Sequence, residues 1–135
     1  MRELNMADQL KVSAKFPVPA KEIYAAWLNS KQHTEMTGFE SFVSSKVGGK
    51  FKAGDGYITG KNLELVKNKR ILQAWRSSEF AESDLDSILV VNFENISGGC
   101  KVTIEHSQIP KGTGNAYKQG WIDYYLLPMK AYFKK

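Results

Sequence analysis

The chain has 135 residues, of which 42% are hydrophobic and 24% are charged, and it carries a formal net charge of +5. This length suits one unit with its own core, so we expect residues 1–135 to form a single domain. The single cysteine, Cys100, excludes an internal disulfide, and no apolar run approaches the ~20 residues of a membrane-spanning helix. Because the first residues do not form a secretory signal, we expect a cytoplasmic protein.

The positive charge is spread along the chain rather than concentrated in one run. Single-stranded nucleic-acid binders interleave basic residues with stacking aromatic residues, and this sequence does not show that pattern. We therefore expect no nucleic-acid partner, and we interpret the lysines as a solvated basic surface that leaves an acidic protein partner open. A short acidic patch interrupts this surface, and it consists of Glu79, Glu82, Asp84 and Asp86.

The first third of the chain predicts a strand, two short helices and a hairpin. Apolar and polar residues alternate over positions 10–16, which is typical of a half-buried strand. Residues 20–28 and 30–36 then predict two short helices. Residues 39–47 predict a second strand, and the glycine pair at 48–49 supplies the tight turn into the next one.

The middle of the chain predicts an antiparallel series of strands joined by short turns. A strand begins at Phe51, and four further strand-forming runs follow, at residues 57–66, 70–76, 87–94 and 100–106. Residues 77–86 are polar and acidic, so we interpret them as a loop. A sheet with this many hairpin-connected strands must twist and curl.

The last stretch of the chain, residues 117–133, predicts a long helix with a broad apolar face. Aromatic and apolar residues recur there at steps of three and four in two rows about 100° apart. Such a face needs a concave partner, so we predict an α+β fold. Six to seven antiparallel strands form a curved sheet wrapped around the C-terminal helix, and two short helices follow the first strand. Pro128 predicts a kink, either a bend along the sheet or a free carbonyl facing a cavity.

Several segments of the sequence have the order and spacing of a known family. They are residues 16–27, 48–51, 70–76, 103–106 and 119–121, together with Gly60, Leu65, Val66, Ile109, Pro110, Tyr124 and Tyr125. Over residues 10–133 the chain resembles the activator of heat-shock protein 90 ATPase homologue group. This group belongs to the START-like, birch-pollen-allergen-like (SRPBCC) superfamily, so the resemblance implies the helix-grip fold.

The resemblance implies three functions, which we rank in order. The first is a non-catalytic module that binds a small apolar or amphipathic ligand between sheet and helix, as superfamily relatives do. The second, close behind, is a chaperone-associated interaction domain with a role in the stress response. Eukaryotic co-chaperones of the family join such a domain to a separate N-terminal domain that also engages the chaperone. The third is an enzyme of cyclase or hydrolase type, for which Tyr57, His106 and Tyr124 are the candidate residues.

The two histidines have no companions that would make a catalytic or metal site. We expect His33, on the polar second helix, to be exposed to solvent. His106 shares a strand face with Val102 and Ile104, so we expect it to point inward as a core or cavity-rim residue, whereas Glu105 faces away. No nucleophile motif and no ligand-spaced cysteine or histidine pair occurs, so we expect no cofactor and no metal, and we rank catalysis below binding.

Aromatic richness is the main functional feature of the sequence. Buried Tyr and Trp side chains usually find a polar partner, so they predict either a pocket ringed by polar groups or a solid core. A cavity above roughly 300 Å³ would favour the pocket. The candidate cavity residues are Trp27, Phe51, Tyr57, Trp75, Phe93, His106, Trp121, Tyr124 and Tyr125. A monomer and a homodimer formed through exposed helix residues such as Leu127 both remain open.

Overall fold

The computed structural model describes residues 7–134, which form six strands and a long C-terminal helix. The elements in chain order are β1 (Asp8–Phe16), α1 (Ala20–Trp27), α2 (Ser30–Thr37), β2 (Lys50–Ala53), β3 (Ile58–Val66), β4 (Arg70–Ser77), β5 (Ser87–Ile96), β6 (Gly99–Ile109), α3 (Gly114–Trp121), a π-helical segment (Ile122–Leu126) and α4 (Leu127–Tyr132). We refer to α3, the π-helical segment and α4 together as the C-terminal helix. Within residues 7–134, no helix has the length and apolarity that crossing a bilayer requires.

The six strands form one antiparallel sheet in the order β1-β6-β5-β4-β3-β2. Alternate residues along β4, β5 and β6 are buried, as the period of two requires, and this buried face packs in one core with the C-terminal helix. The predicted α+β helix-grip fold is therefore confirmed, with six strands and with α1 and α2 placed directly after the first strand.

The prediction of a strand over residues 39–47 was wrong. Only Phe42 pairs with the sheet, through a single bridge to Lys52. The backbone groups of this segment bond to side chains of α2 instead, since the Val43 N–H donates to Ser30 Oγ at 2.8 Å and the Ser41 N–H donates to Thr34 Oγ1 at 2.9 Å. Serine and threonine hydroxyls can accept hydrogen bonds from backbone N–H groups that would otherwise pair with a neighbouring strand, and they do so in this segment.

The C-terminal helix changes its hydrogen-bond pattern in the middle. The Leu127 N–H bonds to the Ile122 carbonyl, which is the i→i−5 bond of a π-helix. This segment directly precedes Pro128, which lies in the first turn of α4, where its missing N–H is tolerated best. Where the sequence predicts a kink at Pro128, the structure has a π-helical turn over the five residues Ile122–Leu126.

The start of the C-terminal helix is held by the first strand. Asp8 Oδ2 accepts hydrogen bonds from the Gly112 N–H at 2.9 Å and from the Gly114 N–H at 2.8 Å. A carboxylate at this position satisfies free backbone donors and interacts favourably with the positive end of the helix dipole. The contact therefore fixes where the helix enters the concave side of the sheet.

Candidate functional site

A cavity of about 500 Å³ lies between the C-terminal helix and the sheet. Its other walls come from the end of α2, the turn between β2 and β3, and the loop after β4. It opens to solvent between Phe39, Tyr57 and Tyr124, whose side chains are 37%, 37% and 58% exposed. The floor is buried, so the cavity is a cleft with an exposed aromatic mouth.

Two tryptophans and a tyrosine form the inner wall of this cavity. The Trp75 and Trp121 rings are 5.9 Å apart at 44°, and Tyr117 stands nearly perpendicular to Trp75 at 5.6 Å. Trp75 comes from the buried face of β4, while Tyr117 and Trp121 lie one helical turn apart on α3. Residues four apart lie on the same face of a helix, so Tyr117 and Trp121 both pack against Trp75.

His106 holds both tryptophans from below the cavity floor. The Trp121 indole Nε1–H donates to His106 Nδ1 at 3.0 Å, and the His106 ring packs against Trp75 at 4.5 Å. His106 is 1% exposed, so the expectation that it points inward is confirmed. It does not line the cavity itself but supports the residues that do.

The partners of His106 determine which ring nitrogen carries the proton. An indole N–H can only donate, so Nδ1 is the acceptor and the proton of the neutral ring lies on Nε2. Nε2 then donates to Ser87 Oγ at 2.8 Å, and Ser87 donates to the Trp75 carbonyl, also at 2.8 Å. Burial lowers the pKa of His106 to about 4, so the ring is neutral at physiological pH.

The expectation that His33 is exposed was wrong, because its side chain is 2% exposed beneath the cavity. Its Nδ1–H donates to the Trp27 carbonyl at 2.8 Å, and its Nε2 accepts from the Tyr125 hydroxyl at 2.6 Å. Desolvation lowers the pKa of His33 to about 4, although the bond to Trp27 acts in the opposite direction. The polar composition of α2 concealed this contact, since α2 turns its one histidine toward the C-terminal helix.

The structure brings five of the nine candidate residues to the cavity, and they are Tyr57, Trp75, Trp121, Tyr124 and Tyr125. Trp27 and Phe51 lie deeper, around a second space of about 10 Å³, which is too small for a ligand. Phe93 is buried away from both spaces and packs against Tyr24 at 5.5 Å. With His106 under the floor, these residues form a layer of core below the cavity.

Sequence reasoning missed nine of the fourteen wall residues, and the aromatic and charged ones among them are Phe39, Glu79 and Tyr117. Tyr117 belongs to the aromatic row of the C-terminal helix, so the periodicity of that row could have identified it as a wall residue. Burial, together with Tyr57 and Glu79, raises the pKa of Tyr117 to about 12, while a hydrogen bond with Ser77 lowers it. The Tyr117 hydroxyl is therefore protonated at physiological pH. Phe39 and Glu79 belong to irregular segments, for which periodicity gives no orientation.

The buried serine–histidine pair and the single cysteine are not arranged as activated nucleophiles. A Ser–His nucleophile pair needs the histidine to accept the serine proton, whereas Ser87 accepts from His106 and donates to a carbonyl. Burial raises the pKa of the Cys100 thiol, which makes it a poor nucleophile. Within residues 7–134, no three potential ligand side chains are close enough to hold a metal ion.

Comparison with known proteins gives a consistent family. Residues 17–134 match the family described as "Activator of Hsp90 ATPase homolog 1-like protein". The chain is 26% identical over 125 residues to the mouse protein named "Activator of 90 kDa heat shock protein ATPase homolog 1". That alignment covers 93% of this chain but 37% of the mouse protein, so the chain spans little more than a third of this curated relative.

Solved structures have the same fold. The crystal structure of an HSP90 activator from Plasmodium falciparum superposes with a TM-score of 0.84 at 25% identity, and it covers 92% of this chain and 94% of that one. The solution structure of the Aha1 dimer from Colwellia psychrerythraea has a TM-score of 0.79 at 17% identity, with 94% and 96% covered. At that identity, the second similarity concerns the fold alone.

Proposed function

The chain belongs to the family of Activator of Hsp90 ATPase homolog 1-like proteins, and from this premise we propose that it is a non-catalytic binding module. In this proposal it holds a small apolar or amphipathic molecule between its sheet and its C-terminal helix. The observation that carries the proposal is the cavity of about 500 Å³, which lies within the ~300–1,000 Å³ range of small-molecule pockets.

The walls of the cavity supply the affinity that such a module needs. Aromatic faces contribute about 25 cal/mol for each Å² of apolar surface that a ligand removes from water. The Trp75 and Trp121 rings are held by His106 before any ligand arrives, so binding costs little side-chain entropy there. The hydroxyls of Tyr57 and Tyr117 supply polar groups that orient a ligand.

Native mass spectrometry of the protein purified from its own host tests this proposal. We expect an additional mass that is released on denaturation. Gly120→Leu should reduce or abolish this mass, because Gly120 lines the cavity and a Cβ added there meets only Tyr124 Cδ2, at 3.9 Å. Lys118→Leu adds the same side chain to an exposed position of the same helix and should retain the mass. A bare protein mass, or equal occupancy in Gly120→Leu and wild type, would contradict the proposal.

A second candidate function is association with a chaperone of the heat-shock protein 90 class. It is favoured by the names of the mouse relative and the Plasmodium structure, which are both described as activators. A basic surface on the outer side of the sheet edge supports it, where Lys50 and Lys61 are paired in register and Lys52 lies nearby, all three exposed. Charge contacts of this kind favour an acidic partner and are screened by salt.

Binding to purified heat-shock protein 90 at low and high salt tests the second candidate. We expect weak binding that decreases as salt is raised and that is lost when Lys50, Lys52 and Lys61 are all changed to Glu. Lys118→Glu, at an exposed position of α3, is the control for a charge reversal outside this surface. Binding that is insensitive to both salt and the triple substitution would exclude this surface.

A further inference from the structure

The cavity has one charged side chain in its wall, and that side chain is Glu79. Its other wall residues are aromatic, aliphatic, glycine or hydroxyl-bearing. Among residues 7–134, the ion pairs involve other acidic groups, and no cationic side chain lies within 4 Å of the Glu79 carboxylate. The chain as a whole is basic, so an acidic cavity wall differs from what the overall composition predicts.

The loop that carries Glu79 is held firmly against the cavity. The Glu79 N–H donates to Ser77 Oγ at 3.0 Å, and the next residue, Phe80, is buried against Trp75 and Tyr117 at 6.0 Å from each. The Arg76 guanidinium lies over the Phe80 ring and donates to the Ala81 carbonyl at 2.7 Å. These contacts place the Glu79 backbone beside the cavity without using its carboxylate.

Asp84 and Asp86, two of the other three acidic groups of this loop, are already engaged. Asp84 Oδ2 accepts from the Ala81 N–H at 2.7 Å, and Asp86 pairs with Arg76 at 3.1 Å. They therefore serve the structure of the loop itself. Glu79 differs from them because it faces the same space as the inner aromatic wall.

The aromatic wall suits a cation as well as an apolar surface. The faces of Trp and Tyr rings carry negative partial charge and attract ammonium groups within ~6 Å. The Trp75 ring lies 5.6 Å from the Tyr117 ring and 5.9 Å from the Trp121 ring, at different angles, and all three rings belong to the cavity wall. An anion in this volume would meet the same faces and the Glu79 carboxylate, and no Lys, Arg or His side chain lines the cavity to offset them.

We propose that the ligand of this cavity is an organic cation, a flat apolar body bearing an ammonium group that pairs with Glu79. The proposal rests on the proposed binding function and narrows it to one ligand class. The apolar body lies against Trp75 of the sheet and Trp121 of the C-terminal helix, and the ammonium group lies against Glu79 and the Tyr117 ring. The net positive charge of the chain does not prevent this, because charges farther away than ~8 Å are largely screened at physiological ionic strength.

Isothermal titration calorimetry with three probes of matched shape tests the inference: naphthylmethylamine, which is cationic, naphthylmethanol, which is neutral, and naphthoate, which is anionic. We expect the amine to bind at least about fivefold more tightly than the alcohol, a modest factor because Glu79 is water-exposed, and naphthoate to bind most weakly. Glu79→Gln should bring the ratio of amine to alcohol affinity close to one, because it weakens amine binding more than alcohol binding. Glu82→Gln, an exposed position on the same loop, should change neither.

The outcomes separate this inference from the proposed function. Equal binding of the amine and the alcohol, or an amine preference that persists in Glu79→Gln, would overturn the cation class while leaving a neutral-ligand module standing. Binding of none of the three probes would count against both proposals. A thermal unfolding curve of Glu79→Gln that matches wild type confirms that the comparison is between folded proteins.

Discussion

The two histidines of this chain are single residues with large structural effects, because each fixes an aromatic ring of the cavity. His106 accepts the indole N–H of Trp121, and His33 accepts the hydroxyl of Tyr125. Both bonds require an unprotonated ring nitrogen. Protonation of His106 would place a second donor against the Trp121 N–H. The neutral forms of both rings are therefore part of the folded structure.

Acid should destabilise the protein well above the pH at which carboxylates titrate. Both histidines have a pKa of about 4 in the fold against an ordinary value of 6.5, so the unfolded chain binds more protons between these values. Stability is then complete above about pH 6.5 and is lost as the pH falls towards 4, by roughly 2 kcal/mol per histidine at pH 5. Urea unfolding at about pH 7.5 and pH 5 measures this. The difference should shrink in His106→Gln, and equal stability at both values would refute the prediction.

The hydroxyl of Tyr125 should contribute to stability, whereas that of its neighbour should not. Tyr125→Phe keeps the ring between Trp27 and Trp121 but leaves His33 Nε2 buried without its 2.6 Å partner. We expect a loss of about 1–3 kcal/mol in the free energy of unfolding. Tyr124→Phe is the matched control, since that side chain is 58% exposed, and it should change stability by less than about 0.5 kcal/mol. Equal effects of the two variants would contradict the assigned bond.

Strand periodicity was sufficient to orient His106 but helix composition was not sufficient to orient His33. In a strand, the buried Val102 and Ile104 settle the direction of every second residue. In α2 most residues are polar, and the helix still buries His33, Met36 and Thr37. A short helix of this composition has no apolar row strong enough to reveal which side packs.

At the scale of elements, one property of the C-terminal helix could be predicted from the sequence pattern and another could not. Its broad apolar face follows from aromatic residues at steps of three and four. The π-helical turn could not be read from them, because it shifts a hydrogen bond by one residue without changing the composition. The consecutive Tyr124 and Tyr125 belong to that turn and both line the cavity, Tyr124 as an exposed side chain and Tyr125 as a buried one.

One glycine in β3 should be essential for the sheet beside the cavity. A Cβ at Gly60 would overlap the Ala74 carbonyl oxygen and lie 2.6 Å from Phe51 Cζ. Gly60→Ala should therefore cost about 3 kcal/mol, because strand pairing leaves no room for the shift. Gly120→Ala, the same change in open space within a helix, should instead raise stability by about 0.5–1 kcal/mol. Denaturant unfolding measures the free energy of unfolding of both variants. A Gly60→Ala variant as stable as wild type would contradict the prediction and show that the strands can move apart to accept the methyl group.

For the whole molecule, the order of most elements and a space between sheet and helix were predictable, but most of the wall of that space was not. Hairpin signals between alternating runs lead directly to an antiparallel sheet, and the aromatic face of the last helix requires that the sheet enclose it. The cavity depends on the path of residues 39–47, whose backbone bonds to α2 hydroxyls rather than to a strand. It depends also on loop 77–86, where the Arg76 guanidinium donates to the carbonyls of Ala81 and Asp84. This loop has no periodic pattern from which its path could be predicted.

The pairing of the first strand with the last has a kinetic consequence. Strands β2 to β6 can each pair with a chain neighbour, but β1 has no partner until β6 has formed, and Asp8 of β1 also holds the start of α3. Contacts between distant parts of a chain form late because closing the loop between them costs entropy. In refolding with pulsed hydrogen exchange, amides of β1 should gain protection after those of β5, and simultaneous protection would contradict this order. Until β1 docks, the edge of β6 is an unpaired strand, which is the stage at which the folding chain is most open to association with other chains.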